Sequence, residues 1–225
     1  MVEVQSDREL LHHVPVISKT WLGKQCFELV LKRPSGFSFR AGQKIMVHLE
    51  GILREYTIAS SPLEDIALCI KEVSGGSMSP LLAKFEVGKK INISGAYGYF
   101  IYRPGRAVFV ATGTGVAPFA AYARSGVTGY QLLHGASSNE DFIYREVLEL
   151  NASKYVSCLS SQEHVGRDSG DVYAGRVTRY LERELEDGIY DFYLCGNGEM
   201  IQDALQIIDN RFMGSRTYTE RYYNG

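Results

Sequence analysis

The chain has 225 residues, of which 45% are hydrophobic and 22% are charged, and its net charge at pH 7 is −2. This composition excludes a disordered chain, and the near-zero charge provides no basic field that would attract nucleic acid. No apolar run approaches the roughly 20 residues of a membrane-spanning helix, and the charged N-terminus lacks the apolar stretch of a signal peptide. The cysteines, Cys26, Cys69, Cys158 and Cys195, are too widely spaced for a zinc or iron–sulfur site. We therefore expect a cytoplasmic protein with reduced thiols, no bound metal and no membrane contact.

The first hundred residues show the pattern of half-buried β-strands. Apolar side chains recur at every second position in residues 27–31 and 45–49. Turns rich in Gly, Pro and Ser separate such segments, at residues 34–36, 41–42, 60–62 and 74–77. Short strands with frequent turns predict an antiparallel β-barrel for residues 1–102.

The pattern changes near residue 103. The run Ala107–Ala111 is continuously apolar, as in a strand that is buried on both faces. Further strands are predicted at 130–134, 155–159 and 191–195, and helices at 140–150 and 176–186. A last helix carries Ile201, Ala204, Leu205 and Ile208 on one face. Strands that alternate with helices predict an α/β domain with a doubly wound parallel sheet for residues 103–225.

A glycine-rich turn, Ala-Thr-Gly-Thr-Gly-Val-Ala-Pro-Phe at residues 111–119, follows the first buried strand. Glycine lets the backbone approach a phosphate closely, and the start of the next helix offers free N–H groups. The spacing differs from the six-residue Rossmann fingerprint, and the Gly-Lys-Ser/Thr of a P-loop is absent. A tight turn that needs glycine for structural reasons alone is the alternative interpretation.

Two other segments carry groups suited to a ligand. Arg54, Tyr56 and Ile58 share one face of a predicted strand, and a cation beside a flat ring suits a phosphate joined to a heterocycle. An exposed strand with an ordinary tyrosine is the alternative. Cys195 comes at the carboxyl end of a predicted parallel strand, where such sheets bind ligands, although a lone cysteine is often a small buried hydrophobe.

In this order the segments resemble the ferredoxin–NADP reductase family, and the resemblance extends from Phe37 to the last residues. The family also includes flavin reductases and the reductase components of oxygenases. The resemblance implies that Arg54 holds the FAD pyrophosphate, that Tyr56 stacks on the isoalloxazine ring and that Thr57 lies near flavin N5. It implies further FAD contacts from the next strand and from a Gly-x-x-Ser segment, namely Ile70, Lys71, Gly76, Ser77, Met78 and Ser79.

The same resemblance implies a nicotinamide nucleotide site in the second domain. The pyrophosphate turn would comprise Thr112, Gly113, Thr114, Gly115 and Pro118, and the strand end beside the nicotinamide would comprise Cys195, Gly196 and Asn197. Ser160, Tyr173 and Arg176 match positions that bind the 2′-phosphate and the adenine of NADP(H). Ser161 replaces the arginine that is usual in NADP-specific relatives, which removes a bidentate phosphate contact. The resemblance favours NADPH, with NADH or the use of both left open.

The C-terminal sequence Glu220-Arg221-Tyr222-Tyr223 resembles the aromatic ending of bacterial ferredoxin or flavodoxin reductases. This resemblance implies that Tyr222 covers the flavin face that the nicotinamide must reach. The Tyr222 ring would then have to move aside for hydride transfer and would act as a gate. It also implies that Glu220 lies near the reacting atoms, with Thr57 and Cys195, and that Tyr223 lies against the adenine of FAD. Asn224 and Gly225 extend past the family's usual end and have no assigned role. A frayed terminus is the alternative.

The implied activity is hydride transfer between NAD(P)H and FAD, followed by release of single electrons to a separate ferredoxin or flavodoxin. We expect the protein to act as a monomer. Two alternatives stay open: a flavin reductase that releases reduced flavin, and a FAD-carrying electron-transfer subunit of a larger complex. None of these interpretations uses a protein nucleophile.

Overall fold

The structure is a computed structural model, and it describes residues 11–161 and 172–222. The chain divides into two compact units between Tyr102 and Arg103. Each unit has a hydrophobic core of its own. In the described part of the chain, no helix is both long and apolar enough to cross a membrane.

The first unit is an antiparallel sheet of six strands. The strands are β1 (His12–Trp21), β2 (Cys26–Leu31), β3 (Lys44–Leu49), β4 (Ile52–Thr57), β5 (Ile66–Lys71) and β6 (Lys90–Ile93), with helix α1 (Ser79–Lys84) between β5 and β6. They lie in the order β4-β3-β6-β1-β2-β5. A backbone bridge between Ile58 and Leu68 brings the two outer strands of this order together, as a barrel requires. The predicted antiparallel architecture is confirmed.

Alternate residues of these strands form the core of the first unit. Phe27, Leu29 and Leu31 of β2 are fully buried, as are Ile45 and Val47 of β3. The residues between them point to the opposite face of the sheet, which is why the hydrophobic period is two. The strands predicted from this period are therefore present where the sequence placed them.

The second unit is a parallel sheet with helices. Its strands are β7 (Ala107–Thr112), β8 (Tyr130–Ala136), β9 (Ala152–Leu159), β10 (Val172–Ala174), β11 (Asp191–Asn197) and β12 (Arg216–Tyr222). Its helices are α2 (Ala117–Arg124), α3 (Arg145–Asn151), α4 (Val177–Arg183) and α5 (Gly198–Arg211). The strand order is β10-β9-β8-β7-β11-β12, and all neighbours are parallel. The order reverses at β7, so the carboxyl ends of β7 and β11 flank the place where doubly wound sheets bind ligands.

Burial in this unit follows the predicted patterns. Every residue of Ala107–Ala111 is buried, as expected for a central strand that is covered on both faces. On α5, Ile201, Ala204 and Ile208 are buried, and Leu205 packs against the same core while partly exposed. The helical period of these residues matches the face that α5 turns toward the sheet.

Two predicted helices have different bounds in the structure. The helix predicted at 140–150 is wrong in its first half: a 3-10 turn over Asn139–Asp141 is followed by Tyr144 in a left-handed conformation (φ +59°), and α3 begins only at Arg145. The helix predicted at 176–186 ends early, because the Tyr180 carbonyl accepts hydrogen bonds from two successive N–H groups, 2.8 and 3.1 Å away, and the α-helical pattern is lost.

His134 of β8 is a fully buried polar residue in this unit. Its Nδ1 lies 2.8 Å from the Tyr155 hydroxyl, and the rings of Phe142 and Tyr155 contact it edge-on. Burial, with a smaller effect from the charge of Arg145, lowers the pKa of His134 to about 3. The folded protein therefore holds a neutral imidazole, whereas the unfolded chain binds a proton there below about pH 6.5.

We expect the folded state to lose stability as the pH falls below the pKa of free histidine, about 6.5. Between pH 7.5 and 5, protonation of His134 in the unfolded chain should lower the free energy of unfolding by about 2 kcal/mol. Urea unfolding followed by circular dichroism at both pH values measures the effect. The matched variant is His134→Gln, which can still bond the Tyr155 hydroxyl but does not titrate. Equal pH dependence of the two proteins would contradict the prediction.

Candidate functional site

Strand β4 carries the predicted cation and aromatic ring on one face. Arg54 is exposed, and Tyr56, two residues later, is half-buried against the core of the first unit. Burial raises the pKa of Tyr56 to about 12, and the charge of Arg54 acts in the opposite direction. Thr57, which ends the strand, is buried. The face therefore offers a neutral phenol ring and an exposed guanidinium.

Glu55 lies between Arg54 and Tyr56 in the sequence but is bound on the other face of the strand. Lys44 Nζ is 2.6 Å from its Oε2, and the Tyr97 hydroxyl donates to its Oε1 over 2.9 Å. Among the described residues, no carboxylate pairs with Arg54, so its charge is available to an anionic ligand. Sequence reasoning missed Lys44 and Tyr97, because their contact with Glu55 depends on the pairing of β3 with β4 and with a later loop.

The turn between β5 and α1 has a tight backbone. Gly76 N donates to Val73 O over 2.9 Å, and a Cβ at Gly76 would lie only 3.0 Å from that oxygen. The Ser79 hydroxyl accepts from Val73 N over 3.0 Å and so holds the turn closed. The other residues predicted here are two with exposed side chains, Lys71 and Ser77, and two whose side chains lie in the core, Ile70 and Met78. For the last two, only the backbone can face a ligand.

In the second unit, the ends of β7 and β11 touch through glycine. A Cβ at Gly115 would lie 2.3 Å from Cys195 O and 2.5 Å from Gly196 Cα. Gly196 has φ +135°, and a Cβ there would lie 2.4 Å from Thr112 Oγ1. The same Thr112 oxygen accepts from Asn197 N over 3.3 Å. The predicted pyrophosphate turn and the predicted nicotinamide-side strand end are therefore packed against each other where the strand order reverses.

The rest of this turn leads directly into α2. Gly113 has φ +55°, and residues Gly113–Val116 form a 3-10 turn. Thr114 O accepts from Ala117 N as α2 begins, and Pro118 is buried in the first turn of that helix. The N–H groups and the positive dipole end of α2 are suited to a phosphate.

Parallel pairing of β11 with β12 aligns residues that are far apart in the sequence. Cys195 lies opposite Glu220, and Asn197 lies opposite Tyr222. Cys195 is fully buried, whereas Glu220 and Tyr222 are half-buried. The Asn197 side chain caps α5, because its Oδ1 accepts from two N–H groups of the first turn, 2.7 and 3.4 Å away. The Asn197 side chain therefore stabilises α5, while its backbone N–H contacts Thr112 at the end of β7.

The predicted adenosine-side residues follow β9 and β10. Ser160 N and Oγ both donate to Ala136 O, over 3.0 and 3.2 Å, and Ser161 Oγ donates to a neighbouring loop carbonyl over 2.6 Å. The Tyr173 ring is half-buried and meets another tyrosine ring edge-on at 5.1 Å. Arg176 is exposed just before α4. Parallel register brings these residues to one edge of the sheet.

Two family models match the chain in the order of its two units. The model described as oxidoreductase FAD-binding domain matches residues 13–102, and the one described as oxidoreductase NAD-binding domain matches residues 109–206. The chain belongs to the ferredoxin-reductase-type flavoprotein oxidoreductases. The family resemblance is thus confirmed, and with it the binding of FAD and a nicotinamide nucleotide as the family's cofactors.

Several relatives in this family are components of oxygenase systems. The reductase component of propane 2-monooxygenase from Rhodococcus jostii is 31% identical over 196 residues, which are 78% of this chain and 53% of that protein. Ferredoxin–NADP reductase B of Sorangium cellulosum is 36% identical over 138 residues, which are 54% of this chain and 57% of that protein. The chain spans about half the length of these curated relatives.

The fold is that of solved flavoprotein reductases. A ferredoxin NADP+ reductase from Neisseria gonorrhoeae, with bound FAD and NADP, matches with a TM-score of 0.79. The match covers 95% of this chain and 99% of that chain, at 22% sequence identity. This likeness concerns the fold, and the roles of individual residues stay predictions.

The first unit fits the FAD of this family on two structural observations. The guanidinium of Arg54 is exposed and has no carboxylate partner among the described residues, as expected for a pyrophosphate ligand. At Gly76 a side chain would crowd Val73 O, so the tight Gly-x-x-Ser turn that the family uses for FAD requires glycine at this position. Tyr223, predicted to contact the adenine of FAD, lies outside the described residues.

Proposed function

We propose that this flavoprotein takes hydride from a reduced nicotinamide nucleotide and passes single electrons to a carrier protein, a ferredoxin or flavodoxin. The observation that carries the proposal is the in-register placement of Cys195 beside Glu220, at strand ends packed against the glycine turn of Gly115. A thiol, a carboxylate and a phosphate-binding turn at one edge of a parallel sheet suit the nicotinamide end of such a nucleotide.

In this proposal the first unit binds and orients the flavin. Arg54 holds the pyrophosphate, the neutral ring of Tyr56 stacks on the isoalloxazine, and Thr57 donates a hydrogen bond near N5. Gly76 and Ser79 present the turn backbone to the phosphates. When bound, FAD accepts an electron pair as hydride and gives up the electrons singly.

The second unit binds and orients the nucleotide. N–H groups of the turn that contains Gly113 and Gly115 hold the pyrophosphate, assisted by the dipole of α2. Cys195 presents a small buried side chain that excludes water next to the nicotinamide, and Glu220 fixes the charge beside it. These residues position the reacting carbon, and none of them forms a covalent bond with it.

An anaerobic absorption spectrum of the purified chain tests the proposal. We expect a yellow protein whose flavin band bleaches on addition of NADPH or NADH and recovers when an oxidised ferredoxin or flavodoxin is added. A colourless preparation that nevertheless reduces added flavin would support a flavin reductase. A yellow protein that dithionite bleaches and neither nucleotide bleaches would contradict hydride transfer by this chain.

A second candidate is an electron-transfer component that works within a larger oxygenase complex. It is supported by the relatives named as reductase components, of which this chain spans about half the length. Reduction of a one-electron dye by the isolated chain with NAD(P)H favours the first proposal, and its absence favours the second. All four cysteines are buried thiols, which accords with a cytoplasmic location; this location and a monomeric state are part of the proposal.

Tyr222 is the proposed gate for the nicotinamide ring. We expect Tyr222→Ala to bind oxidised nicotinamide nucleotide about tenfold more tightly, because a larger fraction of the sites would be open. Tyr222→Phe is the matched control, since it keeps a ring and should bind as the unchanged protein does. Difference-spectral titration measures both constants. Unchanged affinity in Tyr222→Ala would show that this residue is not the gate.

A further inference from the structure

The carboxyl ends of β8, β9 and β10 lie side by side in the parallel sheet, on the β10 side of the strand order. Ala136 of β8 pairs with Leu159 of β9, which pairs with Ala174 of β10. The residues that follow these ends are therefore neighbours, and they include Ser161 after β9. Under the proposed function, on which this inference rests, the adenosine ribose of the nucleotide lies at this edge.

A chain of hydrogen bonds runs through the loop that follows β8. Asp141 Oδ2 accepts from the hydroxyls of Ser138 and Ser137, over 2.7 and 3.1 Å. Ser137 O in turn accepts from the hydroxyl of Ser161 over 2.6 Å. Asp141 thus holds the loop in which the Ser137 carbonyl accepts a hydrogen bond from the Ser161 hydroxyl. Sequence reasoning placed Asp141 inside a helix and gave it no role, although two serines shortly before an aspartate are a known local hydrogen-bonding pattern.

The direction of these hydrogen bonds determines what Ser161 can offer a ligand. A serine hydroxyl has one proton and two lone pairs. Because the proton of Ser161 is donated to Ser137 O, the hydroxyl presents only acceptor lone pairs outward. The Ser160 hydroxyl likewise donates to Ala136 O, over 3.2 Å.

The two forms of the nucleotide differ in what they need at this position. A ribose 2′-hydroxyl can donate a hydrogen bond to an acceptor. A 2′-phosphate near neutral pH carries almost only acceptor oxygens and a charge near −2. At Ser161 such a phosphate would meet lone pairs, near a loop held by the carboxylate of Asp141. The exposed cations that the structure describes after β10 include Arg176 and, on α4, Arg179.

We propose that Asp141 is a positioning residue for nucleotide choice, which acts through Ser137 and Ser161 and selects a nucleotide with a free 2′-hydroxyl. The preferred donor is accordingly NADH, in contrast to the NADPH that the sequence resemblance favoured. Asp141 does not touch the nucleotide; it orients the Ser137 carbonyl, which fixes the Ser161 hydroxyl as an acceptor.

Titration calorimetry with ADP-ribose and with 2′-phospho-ADP-ribose tests this proposal without any redox step. On the full chain with bound FAD, we expect ADP-ribose to bind at least about tenfold more tightly than 2′-phospho-ADP-ribose. The reason is that the lone pairs of Ser161 and the carboxylate of Asp141 disfavour the 2′-phosphate. Asp141→Ala should reduce this ratio about fivefold, the effect of one well-oriented hydrogen bond. Asp141→Asn keeps an acceptor oxygen for both serines and should restore most of the ratio. Glu146→Ala, which removes an equal charge from exposed α3, should leave the ratio unchanged.

Steady-state kinetics separate positioning from general loss of structure. Asp141→Ala should raise the KM for NADH and leave kcat unchanged, since the flavin and nicotinamide residues are untouched. Tighter binding of 2′-phospho-ADP-ribose by the unchanged protein would overturn the proposal. So would an Asp141→Ala ratio equal to that of Glu146→Ala. Binding of neither compound would overturn the nucleotide site itself, and with it the proposed function.

Discussion

Substitution of Gly115 by alanine is expected to abolish reduction of the flavin by nicotinamide nucleotide while FAD remains bound. The new Cβ would overlap Cys195 O at 2.3 Å, and the contact is with backbone that cannot rotate away. The ends of β7 and β11 would have to separate, which displaces the proposed pyrophosphate turn from Cys195. We expect this overpacking to cost about 2–3 kcal/mol of folding free energy.

A neighbouring glycine provides the matched control. Gly198 begins α5, and a Cβ there would meet nothing within 4 Å. Gly198→Ala should therefore fold at least as stably as the unchanged protein and keep its rate of flavin reduction. Stopped-flow absorption gives the rate and thermal unfolding gives the stability. An unchanged rate in Gly115→Ala would show that the contact between these strand ends does not position the nucleotide.

Replacement of Arg54 by glutamine is expected to weaken FAD binding about 10- to 100-fold, because a charge-assisted bidentate contact with phosphate is lost. Arg54 has no carboxylate partner among the described residues, so its removal leaves no buried charge unpaired. The protein should therefore fold normally and purify with little colour. Lys90→Gln is the matched control, since Lys90 is an exposed cation on β6 of the same unit.

Quenching of flavin fluorescence measures the affinity of the apoprotein for FAD and for riboflavin. The effect of Arg54→Gln should appear with FAD and be absent with riboflavin, which has no phosphate. Equal weakening of both ligands would mean that the substitution disturbs the ring site near Tyr56. Equal affinity for FAD in Arg54→Gln and Lys90→Gln would remove Arg54 from the pyrophosphate site.

Local patterns predicted most of the fold because each reflects burial on one element. The alternation of Phe27, Leu29 and Leu31 and the continuous apolar run at Ala107–Ala111 report which faces are covered, and the structure buries both as expected. The first half of the helix predicted at 140–150 failed because Asp141 is tied to the hydroxyls of Ser137 and Ser138, just before it, and because Tyr144 adopts a left-handed conformation. Apolar periodicity does not register such local polar contacts.

Sequence by itself determined the two-part architecture and the family, because hydrophobic periods and the order of motifs can be read within continuous segments of the chain. Tertiary structure alone decided which distant residues meet. Strand register places Cys195 beside Glu220, and backbone packing brings Gly115 against Gly196. The direction of the Ser161 hydrogen bond also depends on a loop from another strand. Such pairings arise from contacts between segments that are far apart in the chain, and no local pattern encodes them.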